Sequence, residues 1–420
     1  MLKVFINHRK IVITSRAKFM VKRFYEENSV DRGSRVAKQL DYQGPEKMHN
    51  LLIIGSGLIG REHIRVASLL GAGRIHGIYD TNQKSMDLAE AELLKYSNEK
   101  LVRYPSLHNA CTDQAIDVIL ICTPNYTHHQ ILSEAIKSGK PIFVEKPMAT
   151  SLTDGAEILR LSDNYPTFIQ VGMQYRYKAQ YVDAFHEVKS LNSLGTVKTI
   201  SMSEYRPPFL DKVEQWNKFN EYSGGTLVEK CCHYFDLINL MAESPPRDVF
   251  ASGGRAVNFL DFEYKGRKSD IDDHGFVIIN YCNGIRANFT LNMFANEFYE
   301  ELVVTGDKGR LVASEKASTD KDRQTKASIM VEVDGHQHYE GSEIGYPASI
   351  EKSGHHGATF FEHEALMGQL QKKEVDAASP RQGLMAMLVA SAAQRSILEN
   401  SVISIAEHAK RNGIEAILHQ

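Results

Sequence analysis

The chain predicts a two-domain α/β protein: a doubly wound parallel sheet, then a second domain of turn-linked strands and long helices. Three observations carry this expectation. Its 420 residues exceed what one hydrophobic core ordinarily holds. Up to about residue 172, apolar runs of strand length alternate with helical periods. From about Gly195, strand-like runs are separated by short Gly, Asn and Asp turns.

Composition bounds the function classes. Apolar residues at 42% and charged residues at 24% describe an ordinary globular chain. A formal charge of -3 gives no general attraction to nucleic acid or anionic membrane, and no apolar run approaches a bilayer-spanning length. Five cysteines (Cys111, Cys122, Cys231, Cys232 and Cys282) show no C-x-x-C spacing. That pattern points to a reducing, cytoplasmic setting and against disulfide or structural-zinc frameworks.

Residues 1–47 read as a basic N-terminal arm. The first 25 carry seven Lys or Arg and no acid. An arm lying on its own domain or on a neighbouring subunit fits this composition, and so does a cleaved targeting peptide.

The first domain is expected over 48–172. The run Leu51 to Ile54 leads into Gly55, Gly57 and Gly60, then into a helical pattern ending at Gly71. This is G-x-G-x-x-G between strand and helix, with Leu58 and Ile59 completing the loop. Gly55 permits the turn, Gly57 lets a pyrophosphate approach the backbone, and Gly60 lets helix and strand pack closely. A second strand ends at Asp80, where a carboxylate accepts hydrogen bonds from ribose hydroxyls and repels a 2′-phosphate. No Arg follows directly, so NAD is favoured; Lys84 keeps NADP open.

The alternation continues through a helix at about 84–97, a short strand near Val102 and a buried strand in AIDVILICTPN. The helix THHQILSEAIKSG, the strand PIFVEKP, a helix from Ser151 to Asp163 and the strand TFIQVG complete it. Strand ends at Thr123, Pro124 and Asn125, and at Glu145, Lys146 and Pro147, fall on the edge that holds the glycine loop, where ligands bind in open α/β sheets. A Lys146 ammonium facing that crevice can bond a substrate hydroxyl and stabilise a forming alkoxide.

Three features then line up: GSGLIGREH with Asp80, CTPNYTHHQILSEAIKSGKPIFVEKP, and GGTLVEKCCHYFDL. Together they resemble the glucose–fructose oxidoreductase / inositol 2-dehydrogenase / MocA family, over about Asn50 to Ile405. The resemblance implies an N-terminal Rossmann domain and a C-terminal α/β domain (173–405) with a large, mostly antiparallel sheet. It implies homo-oligomer contacts, dimer or tetramer, through that sheet. It also implies that Lys146 and His233 flank the nicotinamide, with His233 taking the proton of a secondary alcohol. Asn125 and His128 are implied on the cofactor's ribose or nicotinamide side. Where many members carry an aspartate four residues before the histidine, this chain has Glu229.

The second domain's runs TVKTISMSEYR, VFASGGRAV, HGFVIINY, GIRANFTLNM and EELVVTG read as strands, with a hairpin signal at Asn283-Gly284. GATFFEHEALMGQLQ and GLMAMLVASAAQRSILENS read as helices, 316–327 as a polar loop, and 406–420 as a tail. Val228 to Met241, entered through Gly224-Gly225, reads as one helix. On it, Glu229, His233 and Asp236 share a face, so that Asp236 or Glu229 would orient the imidazole. Cys231 and Cys232 point about 100° apart on such a helix and cannot both reach one ion, so no metal is expected. Further pocket candidates are Arg176 or Tyr177 in QYRY, Trp216 as a stacking platform, and His355 beside His356 in a glycine-flanked loop.

The expected function is NAD-dependent oxidation of a sugar, inositol or related polyol. A redox-neutral glycosidase or epimerase and a non-enzymic nicotinamide sensor are the alternatives. Lys146, Glu229 and His233 together argue against the sensor.

Overall fold

The computed structural model describes residues 48–317, 325–333 and 336–418, without the side chains of 336–343. The basic arm and part of the polar loop at 316–327 lie outside the described residues.

Six strands form the first sheet: β1 (His49–Ile54), β2 (Gly73–Tyr79), β3 (Val102–Arg103), β4 (Val118–Ile121), β5 (Ile142–Glu145) and β6 (Ile169–Gly172). Their order is β3-β2-β1-β4-β5-β6 and every pairing is parallel. Leu51 to Ile54, Val118 to Ile121 and Ile142 to Val144 are wholly buried, as expected when helices cover both faces of a sheet. The order reverses direction between β1 and β4, which opens a crevice at their carboxyl ends.

The second domain carries β7 (Val197–Tyr205), β8 (Pro246–Gly254), the short ribbon β9 (Glu263–Tyr264) with β10 (Arg267–Lys268), β11 (His274–Tyr281), β12 (Arg286–Asn292), β13 (Phe298–Gly306), β14 (Gly309–Ala317), β15 (Lys326–Val333), β16 (His336–Ile344) and β17 (Ile403–Ser404). Nine of them form one sheet in the order β16-β15-β14-β13-β7-β12-β11-β8-β17. Its pairings are antiparallel except β7 with β12. Asn283-Gly284 turns β11 into β12 as expected. By contrast, β14, β15 and β16 were not anticipated. In β14 and β15 the alternation draws on Ala, Ser and charged residues, with Leu311, Ala313, Ile329 and Val331 turned inward.

Two helices tie the domains together. Pro380–Glu399 packs on β8 and on the helix Leu152–Asp163 of the first domain, and Ala358–Leu370 lies against the helix Leu58–Leu70. The residues after 405 are not a loose tail. Ile405–Arg411 is helical and Glu415–Leu418 forms a 3-10 turn, with Ala409, Ile414 and Ile417 buried. No helix among the described residues is long and apolar enough to cross a membrane.

Candidate active site

The glycine loop leaves room where an anion is needed. A Cβ on Gly60 would sit 2.1 Å from the Gly55 carbonyl oxygen, whereas one on Gly57 would meet nothing within 4 Å. Helix Leu58–Leu70 starts without a side-chain cap and without an acid in its first turn. Its first N–H groups therefore face open space at the positive end of the helix dipole, which fits a pyrophosphate. Leu58 is exposed and Ile59 partly buried.

Asp80 stands beside this loop. Its Oδ2 accepts from the Ser56 amide at 2.8 Å and the Ser56 hydroxyl at 3.1 Å, and its Oδ1 accepts from the Asn82 amide at 2.8 Å. The carboxylate thus clasps the loop as well as standing where a ribose is expected. Asp80→Ala is expected to raise the NAD dissociation constant about tenfold or more, the scale of a lost charge-assisted hydrogen bond. Because NADP shares the loop but not the 2′-hydroxyl, the NAD:NADP preference should narrow. Titration of both cofactors checks this, and an unchanged ratio would leave Asp80 with the loop alone.

The ends of β4 and β5 form the opposite wall. His128 joins them, its ring nitrogens each 2.8 Å from a carbonyl oxygen, Thr123 on one side and Pro147 on the other. A neutral imidazole donates to one of these carbonyls, so His128 braces the two strand ends. Asn125 is also turned to the protein, its Nδ2 donating to the Ser223 carbonyl at 3.3 Å. Thr123 lines the cradle, since a Cβ on Gly55 would meet its Cγ2 at 2.6 Å. Pro124 precedes the turn Asn125–Thr127.

Glu145 is buried and paired with His63 Nε2 at 2.8 Å, while His63 Nδ1 lies 2.7 Å from His363 Nε2. Burial opposes charge on Glu145, but His63, Lys146 and His355 together outweigh it and hold the carboxyl below its ordinary value. Sequence reasoning misses His63 and His363. The available signal is a histidine on the buried face of the helix, one turn past the last glycine of the loop.

Lys146 follows, its peptide to Pro147 cis. Its Nζ donates to the Glu229 carbonyl at 2.7 Å and lies 4.0 Å from Glu229 Oε1. Burial would lower the ammonium's pKa, yet Glu229, Cys232 and Glu145 together more than offset this and raise it.

The segment carrying Glu229 and His233 is not the single helix expected. Gly224 and Gly225 turn with φ of +84 and +88, and a Cβ on Gly225 would collide with the Gln394 amide at 1.7 Å. A short helix, Thr226–Glu229, follows, and the chain breaks at Lys230 and Cys231 before the helix Cys232–Ala242. The break frees the Glu229 carbonyl, which an unbroken helix would direct at the His233 amide, to accept from Lys146. It also takes Glu229 off the face on which it was to meet His233 and Asp236.

Glu229 instead sits between cations, with Lys212 Nζ 3.4 Å from its Oε1. Burial pushes the carboxyl up, but Lys146, Lys212, Arg206 and Lys230 together bring it down to about 2. Asp236 turns the other way: its oxygens accept from Arg176 Nε at 2.7 Å and Nη2 at 2.6 Å. Neither carboxylate therefore orients His233. Arg176, expected to face a ligand, is spent on this pair and on Gln382 Oε1 at 3.2 Å.

What holds His233 is an aromatic ring. Tyr175 stacks on the imidazole, with centroids 4.0 Å apart and planes 6° from parallel. Tyr175 is fixed in turn by Lys230, whose Nζ donates to its hydroxyl at 2.6 Å, and by Lys178 Nζ 4.2 Å from its ring centroid. The QYRY segment is a 3-10 turn, so the residue reaching the site is Tyr175. Tyr177 sends its hydroxyl to the Asp376 carbonyl at 2.8 Å. His233 is buried, and its Nδ1 has no hydrogen-bond partner among the described residues. Burial first, then Lys146, Lys230, His355 and Lys178, lower its pKa well below the ordinary histidine value.

Trp216 is buried beneath Lys212, whose Nζ lies 4.4 Å from the ring centroid. His355 Nδ1 lies 2.6 Å from Glu62 Oε1, and its ring is 6.3 Å from Tyr175. It therefore borders the site from the first-domain side. Cys231 and Cys232 are buried thiols, Cys232 pushed up by burial to about 12.

Comparison with known proteins agrees with this architecture. Residues 49–173 match the family model of an oxidoreductase-family NAD-binding Rossmann fold, and residues 189–405 that of the oxidoreductase-family C-terminal alpha/beta domain. The chain is 24% identical to myo-inositol 2-dehydrogenase of Thermotoga maritima, over 84% of this chain and 98% of that one. It is 23% identical to 2,7-anhydro-N-acetylneuraminate hydratase of Escherichia coli, over 87% and 100%. Among solved structures, levoglucosan dehydrogenase in complex with NADH and L-sorbose shares the fold. Its TM-score is 0.72 at 16% identity, covering 86% of this chain and all of that one. The glycine cradle, the Lys146 strand end and both family matches converge, and the chain belongs to the Gfo/Idh/MocA family of NAD-binding oxidoreductases.

Proposed function

We propose that the protein oxidises a secondary alcohol of a sugar, inositol or related polyol, with His233 as proton acceptor and Lys146 positioning the oxygen. The observation that carries this reading is the bond from Lys146 Nζ to the Glu229 carbonyl. It brings the cation at the β5 end to the backbone four residues before His233. NAD, when bound, supplies the hydride acceptor.

The residues divide the work by charge. A neutral imidazole is the form that accepts a proton, and the lowered pKa of His233 keeps it in that form. A base so lowered pulls weakly, so the alkoxide needs help. The raised pKa of Lys146 keeps an ammonium available to bond the developing negative oxygen. Tyr175 fixes the ring plane, and Glu229 holds Lys146 and Lys212 in place without touching the imidazole.

A pH profile follows from these directions. The acid limb of kcat/KM reports His233 in the free enzyme, and its midpoint is expected below 6.5, the ordinary histidine value. Activity should therefore hold as pH falls through 7 to 6. The alkaline limb from Lys146 deprotonation is expected above the ordinary lysine value of 10.5. An acid midpoint at or above 7 that vanishes in His233→Gln would contradict the lowered pKa.

The direct test is NADH formation from a panel of inositols, aldoses, sugar acids and amino sugars, each with NAD and with NADP. Steady NADH production from one group supports the reading. The relative named as a hydratase gives redox-neutral chemistry a specific footing. Conversion of a substrate without net NADH, in protein retaining NAD, would favour that second reading.

A further inference from the structure

We infer that the substrate is an anionic polyol whose carboxylate is received by Lys212; this rests on the polyol-oxidising reading above. Four cations act on Glu229, with Glu204 as a second carboxylate among them. Lys146 and Lys212 share Glu229, at 4.0 and 3.4 Å. Lys230 and Arg206 share Glu204, at 3.0 and 3.8 Å. Lys178 stands apart from this count, matched by Glu300 at 2.8 Å and Glu315 at 2.7 Å.

Three of the four cations have further partners. Lys146 donates to the Glu229 carbonyl, Lys230 to the Tyr175 hydroxyl, and Arg206 Nε to the Pro207 carbonyl. Arg206 also lies 5.2 and 5.4 Å from the rings of Phe209 and Phe298. Among the described residues, Lys212 has the long contact to Glu229 and the Trp216 face alone. Its side chain is also the most exposed of the four, at 29% against 15%, 9% and 11% for Lys146, Lys230 and Arg206.

An ammonium with three donors and one long bond is an incomplete contact. Burial and the like charge of Lys146 disfavour its protonated form more than Glu229 favours it, so a further anion there relieves an existing cost. Its place fits recognition of a substituent rather than of the reacting carbon. Lys212 and Lys146 both approach Glu229 Oε1, at 3.4 and 4.0 Å, so Lys212 stands beside the ammonium proposed to hold the reacting oxygen. A single partly exposed ammonium next to a carboxylate suits a monoanion better than a phosphate dianion, which Glu229 would repel more strongly.

The test uses the NADH-loaded protein and calorimetric binding of D-glucuronate, D-galacturonate and D-gluconate, each against its neutral counterpart: glucose, galactose and glucitol. At least one acid should bind about tenfold or more tighter than its counterpart, the scale of a charge-assisted hydrogen bond. That preference should be lost in Lys212→Gln and kept in Lys212→Arg, with thermal midpoints showing that both variants fold. Acids binding no better than their neutral counterparts, joint silence included, would overturn the inference, as would a preference that survives Lys212→Gln. Because binding needs no turnover, the polyol-oxidising reading stands or falls separately, on NADH formation.

Discussion

Lys146→Met should lower kcat for polyol oxidation by about 10²–10³, the scale of one lost donor to a developing oxyanion. The NADH dissociation constant should stay within about threefold, since the contact is made only as negative charge forms. The reason lies in what Lys146 touches. Its Nζ bonds the Glu229 carbonyl and stands 4.0 Å from the carboxylate, and no other cation reaches that carbonyl among the described residues. On the proposed reading, removing it should leave His233 neutral but deprive the alkoxide of its counter-charge. A matched fall in kcat and kcat/KM would place the loss in the transition state. Should NADH affinity fall by the same factor as kcat, Lys146 would be a cofactor anchor and the proton-transfer role would pass elsewhere. Methionine keeps the aliphatic stem. Glu229 also retains Lys212, so the variant should fold, and a thermal scan settles that first.

The parts of this site that were legible in the sequence are the short-range ones. The glycine loop and the X-Lys-Pro strand end need neighbours in sequence, and the structure places both on the sheet edge where they were expected. The orienting partner of His233 was not legible. An unbroken helix is the natural reading of Val228 to Met241, and nothing in Lys230-Cys231 announces a break. The break comes from distant groups: Lys146 claims the Glu229 carbonyl, and Lys230 is drawn to Tyr175 and Glu204. Likewise, QYRY offers three side chains with ring or charge. Which of them meets His233 depends on a 3-10 turn that has no signature in composition. The strands β14 and β15 escaped for a related reason, because half of each alternation is polar enough to resemble a loop. Tertiary pairing decided each of these cases.

Asp236 is the sharpest separation of the two accounts. Were it the orienter of His233, Asp236→Ala would be folded and slow. With Arg176 as its partner, the same change strands a buried guanidinium. The expected result is a loss of stability of about 3–5 kcal/mol, the cost of removing one member of a buried pair. Both side chains are nearly inaccessible, at 2% and 3% exposure, so water cannot take the carboxylate's place. Burial draws the Asp236 carboxyl up from its ordinary value and Arg176 recovers only part of this, while Asp236 raises Arg176 further. Guanidinium bonds of 2.6 and 2.7 Å are those of a carboxylate, so the ionised pair is the state that must be broken. The pair also fastens the turn bearing Tyr175 to the helix bearing His233. Its loss should therefore loosen the Tyr175–His233 stack and reduce activity as a consequence of instability. Thermal or denaturant unfolding of Asp236→Ala, beside Arg176→Met with Asp236→Leu, distinguishes the accounts. An apolar pair of similar volume should recover much of the stability, because the penalty comes from the uncompensated charge rather than from the missing bond. A stable Asp236→Ala with kcat reduced a hundredfold would instead return Asp236 to the imidazole.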